Sequence, residues 1–132
     1  MRWLDVLPLT VLILLMHTTF AQAADWKKYR GEFTPDSADC IDFDSITTDA
    51  QGLTHFRRYV IDDDKACGRP NQYNIVESIA VSCPAVVAAG PNRDGFPVKY
   101  YSFDRLSKRW EEATGASRQF SCVMKYVCQN RK

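Results

Sequence analysis

The sequence predicts an α+β domain: a small antiparallel β-sheet of about five to six strands, with a C-terminal α-helix packed on one face and disulfides stapling the parts. Three observations carry this expectation. Short β-rich runs follow one another through most of the chain, one amphipathic segment of helical period closes it, and five cysteines lie between Cys40 and Cys128. The 132 residues are 45% hydrophobic and 25% charged, with a formal charge of +1, which suits one globular domain. That balance excludes a disordered tail, a collagen-like repeat and a strongly basic nucleic-acid binder.

Met1 to Ala23 reads as a secretory signal peptide. Arg2 is its early cation, Val11 to Met16 its apolar stretch, and Ala21-Gln22-Ala23 its small-x-small ending. Leu9 to Phe20 is shorter than the roughly 20 apolar residues that span a bilayer. The expectation is therefore a domain of residues 24–132 without a membrane span, exported to the periplasm, the cell surface or the medium.

Within that domain Trp26 to Arg30 suits a first short strand, followed by a polar turn region from Gly31 to Asp39. Cys40 to Ile46 and Leu53 to Ile61 suit two strands of a hairpin, because Asp49 and Gly52 fit the loop between them. Asp62 to Asn71, rich in charge and holding Gly68 and Pro70, reads as a loop. Asn74 to Cys83 is the clearest strand, with Ile75, Ile79, Val81 and Cys83 on one face, and Pro84 stops it. Gly90 to Pro97 is a turn-rich connector, and Val98 to Phe103 is another strand. Leu106 to Thr114 has no clear period, though Trp110 is expected to pack. Ser117, just after Gly115, suits the N-cap of the closing helix.

An oxidising compartment favours pairing cysteines, and one of the five must be left over. On a wheel of Ser117 to Gln129, Phe120, Val123, Met124 and Val127 cluster within about 100°, with Cys128 at their edge and Cys122 on the opposite side. Cys83 also points inward from its strand. Cys83–Cys128 is therefore the first choice of bridge, pinning the helix to the sheet. Cys40–Cys67 is the second, because a hairpin would bring the open ends of its two strands together. Cys122 is then the odd thiol, expected outward, and offers a route to a disulfide-linked dimer.

Few catalytic constellations survive inspection. His55, the sole histidine of residues 24–132, has no nucleophile motif beside it. The cysteines lack both zinc-ligand and C-x-x-C spacing, and Gly90 to Gly95 lacks the lysine and spacing of a phosphate loop. Asp42 and Asp44 alternate with Ile41 and Phe43, which reads as the wet face of a strand. Asp62-Asp63-Asp64 reads as a solvated loop without calcium-site spacing. No cofactor, metal or catalytic residue is expected, and nucleic acid is not an expected partner. The usable lead is a pair of cationic and aromatic runs, Arg57-Arg58-Tyr59 and Lys99-Tyr100-Tyr101, as a candidate binding face for a protein.

Several segments together resemble the surface-adhesin protein E-like family of Gram-negative bacteria. They are Trp26, Cys40-Ile41-Asp42-Phe43-Asp44-Ser45-Ile46, Ser78 to Cys83 (SIAVSC), Tyr100-Tyr101-Ser102, Trp110, and Gly115 to Cys128 ending in Val-Cys. The resemblance implies an antiparallel sheet with a helix packed on it and a bridge equivalent to Cys83–Cys128. It also implies a secreted or surface-exposed protein, since the founding member is an adhesin for host matrix and serum proteins. Cys40, Cys67 and Cys122 depart from the common two-cysteine pattern, and the adhesin's ligand-binding segments have no residue-level match. The leading expectation is an exported, non-enzymatic binding protein acting on a host extracellular protein. The alternative is a periplasmic structural partner of a bacterial envelope protein, and the least favoured is a small hydrolase using Asp42, Asp44 or His55.

Overall fold

Extended backbone turns successive side chains to opposite faces, so the burial of alternate residues shows how each strand is used. The computed structural model describes residues 24–31, 35–89 and 98–131. The segment read as a signal peptide and the connector Gly90 to Pro97 lie outside these residues. Strands β1 (Trp26–Tyr29), β2 (Ser37–Thr48), β3 (Thr54–Asp62), β4 (Glu77–Val81), β5 (Tyr100–Asp104) and β6 (Arg109–Ala113) form one sheet in chain order, every neighbour antiparallel. Helix α1 (Cys83–Ala88) follows β4, and helix α2 (Arg118–Gln129) closes the fold. The six-stranded sheet with its C-terminal helix is the predicted class.

The core lies between one sheet face and α2. Ile41, Ile46, Phe56, Ile79 and Val81 supply the sheet side, and Phe120, Val123, Met124 and Val127 the helix side, joined by Val86 of α1. Ile41 and Ile46 differ in parity, so a regular strand would put them on opposite faces. The pairing shifts between Asp42 and Thr47, and this bulge returns Ile46 to the core. Ser45 holds the bulge: its hydroxyl donates to the Asp42 carbonyl and accepts from the Arg57 N–H, at 2.6 and 2.9 Å.

Local signals set the ends of the elements. Ser117 Oγ accepts from the Phe120 N–H at 3.2 Å, as its N-cap reading requires, and Gly115 adopts a φ of 75° just before it. Ser82 caps α1 in the same manner. Pro84 was expected to stop the strand, but β4 has already ended at Val81 and Pro84 lies in the first turn of this helix, where a missing N–H costs nothing. In the β2–β3 turn, Asp49 accepts from the Gln51 and Leu53 N–H groups, and Gly52 takes a φ of 82°.

Two disulfides are present, Cys40–Cys67 and Cys83–Cys128, with Cα separations of 5.6 and 5.4 Å. The second joins the start of α1 to the end of α2. Cys83 thus begins a helix rather than ending a strand, although it faces inward as expected.

Four expectations need correction. β4 begins at Glu77 rather than Asn74, and Ile75 is 75% exposed in the preceding loop. The stretch from Leu106 contains a strand, β6, and Trp110 on it is 43% exposed. Asp42 is not on a wet face: it is 1% exposed. Cys122 is outside both disulfides but buried at 8% exposure, because α2 is covered on every side from Phe120 to Met124. The expected outward placement of this thiol is therefore replaced by an inward one.

Candidate functional site

Residues opposite each other on paired strands share a face, and this separates the two sides of the sheet. Ile41 pairs with Arg58, and Val81 with Tyr100, so Arg58 and Tyr100 lie on the helix-covered side. Their contacts agree: the Arg58 guanidinium stands 4.4 Å over the Phe120 ring, and Tyr100 meets the same ring edge-on at 4.9 Å. Asp42 pairs with Arg57, Cys40 with Tyr59 and Ala80 with Tyr101, so Arg57, Tyr59 and Tyr101 lie on the other side. The six residues proposed as one face are therefore divided between two.

Tyr59 is also withdrawn from solvent. Cys40–Cys67 draws the 62–71 loop over it, and its hydroxyl exchanges hydrogen bonds with the Gly68 carbonyl and N–H. Cations near β1 tie the same loop down. Arg30 makes a two-pronged contact with Asp63, each hydrogen bond 2.6 Å, and Lys28 Nζ donates to the Asp63 and Lys65 carbonyls. Asp63 therefore acts as an anchor within the aspartate run.

Arg57, Lys99 and Tyr101 remain on the side away from α2. Arg57 lies over Trp26 at 5.5 Å, and its guanidinium donates to the buried Asp42 carboxylate. Asp42 also accepts from the Asp25 and Asp44 N–H groups, so its carboxylate is engaged structurally. Lys99 reaches Glu112 at 3.1 Å, and that hydrogen bond, followed by the charge attraction, holds the ammonium above its ordinary pKa. Beside Lys99 and Tyr101 opens a hollow of about 540 Å³ whose wall is mainly Leu53, Ala85, Ala89 and Val98.

The structure adds three residues that the sequence pattern does not group. Trp26 packs edge-on against Tyr59 at 4.7 Å. Phe103 and Trp110 are directly paired across β5 and β6, with ring centroids 5.5 Å apart, and Trp110 meets His55 edge-on at 5.2 Å. The signal for this strip is the cross-strand register, which requires recognising β6.

His55 Nε2 lies 2.7 Å from Asp49 Oδ2. This hydrogen bond, and then the Leu53 N–H, hold the Asp49 carboxyl below its ordinary pKa. Arg30 does the same for Asp63, and the Leu106 N–H does so first for Asp104. A carboxylate with a lowered folded-state pKa contributes stability that is complete above its unfolded value of about 4 and lost as pH falls through the folded value. The melting temperature should therefore fall as the protein is acidified below about pH 4, and Asp49→Asn should flatten that dependence. Melting curves at a series of pH values check this; an unchanged slope in Asp49→Asn would refute the role of the Asp49–His55 contact.

Among the described residues, no cluster of His, Cys, Asp and Glu could hold a metal ion, and no helix is long and apolar enough to cross a membrane. Comparison of the chain with protein-family models, curated proteins and solved structures finds no match.

Proposed function

We propose that this chain is an exported, non-enzymatic protein-binding domain that uses the side of its sheet away from α2. The observation that carries the reading is a surface of exposed Arg57, Phe103 and Trp110 around the half-buried Tyr101 on the sheet, with exposed Lys99 just before β5. Trp, Tyr and Arg supply most of the energy of protein interfaces, because each buries a large area while keeping a polar handle. Two disulfides support export, since such bridges persist in oxidising compartments. The resemblance to surface-adhesin protein E-like domains favours a host matrix or serum protein as ligand. A bacterial envelope protein is the alternative partner.

Cell fractionation with affinity capture and mass spectrometry tests this. The expected result is surface-exposed protein that captures a host protein saturably. Tyr101→Ala combined with Lys99→Ala should weaken that capture about tenfold or more, with the fold intact. Arg57 is unsuited to this test, because its loss would strand the buried Asp42 carboxylate. Strictly periplasmic protein captured with an envelope component would replace adhesion by the alternative. Binding indifferent to Tyr101 and Lys99 would sink the proposed face.

A further inference from the structure

Because neighbouring strands are antiparallel, the β3–β4 loop and the β5–β6 turn leave the sheet at the same end. Among the described residues, the three most exposed large apolar side chains all lie there: Leu106 at 96%, Tyr73 at 83% and Ile75 at 75%. Arg105 Nη2 donates to the Val76 carbonyl at 2.6 Å, which ties the two connections side by side. Both are internally braced. The Leu106 N–H donates to Asp104 at 3.0 Å, the Tyr73 N–H to Asn71 at 2.8 Å, and the Asn71 N–H to Asn74 at 2.9 Å. Apolar side chains gathered at one place mark a contact surface, and turns already ordered give up little freedom when that contact is made.

Charge distinguishes what this surface meets. Residues 104–109 carry Arg105, Lys108 and Arg109 against Asp104 alone. The anions of β6 stand back from the turn: Glu112 pairs with Tyr101, roughly 10 Å along the strand from Arg109. Glu77, at the start of β4, lies 3.6 Å from Arg58. The Asp62-Asp63-Asp64 run begins the β3–β4 loop on the side of β1, where Arg30 binds Asp63 and Lys28 donates to the Asp63 carbonyl. We infer that this end of the sheet docks on an anionic phospholipid bilayer, with Leu106, Ile75 and Tyr73 entering the headgroup layer and Lys108 and Arg109 meeting lipid phosphates. Attraction to such a surface sums the apolar area withdrawn from water and the pull of anionic lipid on each cation. Tyrosine suits the boundary, since its ring is apolar and its hydroxyl stays wet.

The apolar side chains stand on two separate turns, and a fluid headgroup layer takes them up without a matching pocket. Exposure alone does not mark such a surface. Val87 is 72% exposed, yet it lies on α1, whose six residues carry no charge, and α1 follows the other end of β4. Only the β5–β6 end joins apolar tips to cations. Docking by this end leaves the Tyr101 side of the sheet open, so it is independent of the protein partner proposed for that side.

Co-sedimentation of the exported protein, freed of Met1 to Ala23, with vesicles of mixed phosphatidylcholine and phosphatidylglycerol tests the inference. The expected result is binding that weakens as salt rises and is much weaker to vesicles of phosphatidylcholine alone. Leu106→Ser should lower the partition coefficient about tenfold or more, because its side chain leaves water only on the bilayer. Lys108→Asn combined with Arg109→Gln should lower it about twenty-fivefold, at about fivefold for each cation. Asparagine tolerates the φ of 56° at position 108. All three positions are exposed, and circular dichroism establishes that the variants are folded. In Leu106→Trp the added emission should be quenched by lipids brominated on their acyl chains, which reads the contact directly. No binding to the anionic vesicles at low salt, equal binding to phosphatidylcholine alone, or binding unchanged in Leu106→Ser would overturn the inference. Loss of protein capture in these variants, with vesicle binding retained, would give this end to a protein interface instead.

Discussion

Replacing Cys83 and Cys128 together by serine is expected to lower the unfolding free energy by about 4 kcal/mol, measured by urea denaturation. The bridge closes a loop of sequence separation 45, and closure entropy grows with the logarithm of that length. By the same relation Cys40–Cys67, with a separation of 27, contributes about 3.5 kcal/mol. The packing around the first bridge adds to its effect. Cys83 is fully buried beside Thr54, and Cys128 belongs to the core cluster, so the two serines would leave polar groups in an apolar setting. Domains of this size are typically stable by only about 5–15 kcal/mol, so the variant should be close to unfolding at about 37 °C. A loss below about 1 kcal/mol would mean that the core holds α2 without the bridge.

Arg58→Ala is expected to cost about 3 kcal/mol, despite the side chain's place in a run that reads as exposed. Arg58 Nη1 donates to Asp39 Oδ1 at 2.6 Å, and the Asp39 side chain is 3% exposed. Gln119 of α2 donates to the other Asp39 oxygen at 2.9 Å. The guanidinium also covers Phe120, so one arginine joins β2, β3 and α2. Removing it leaves a buried carboxylate with one neutral donor, and breaking a buried pair costs more than never having made it. Asp39→Asn in the Arg58→Ala background should therefore recover about 1 kcal/mol or more. Denaturant unfolding of the two variants decides the matter. No recovery would assign the loss to packing on Phe120 alone.

The parts of this fold readable from sequence are those governed by nearby residues. The helix, its Ser117 cap and the β2–β3 turn each rest on side chains within a few positions of the backbone they organise. Both disulfides were readable because the inward face of α2 and the ends of a hairpin can be located from periodicity. The candidate site was legible only in part. Arg57, Lys99 and Tyr101 share the open side, whereas Arg58 and Tyr100 alternate onto the covered side and Tyr59 is sealed by a loop. A cationic or aromatic run along a strand cannot occupy one face, because the side-chain period is two.

Composition, the order of short β-rich runs and one amphipathic segment determined the fold class of this protein, and the spacing of cysteines along those elements determined its bridges. Tertiary structure alone decided which polar groups are buried and which apolar groups are exposed. Asp42 keeps the side opposite Ile41 yet is buried, because Arg57 meets its charge and the Asp25 and Asp44 N–H groups donate to its carboxylate. Cys122 was covered because α2 is enclosed over its first turns, which a wheel with a single apolar side does not describe. Trp110 stayed at the surface because β6 is an outer strand, and only the pairing of β5 with β6 sets Phe103 beside it. In each case the deciding contact joins residues that the local pattern does not relate, and local propensity contains no term for it.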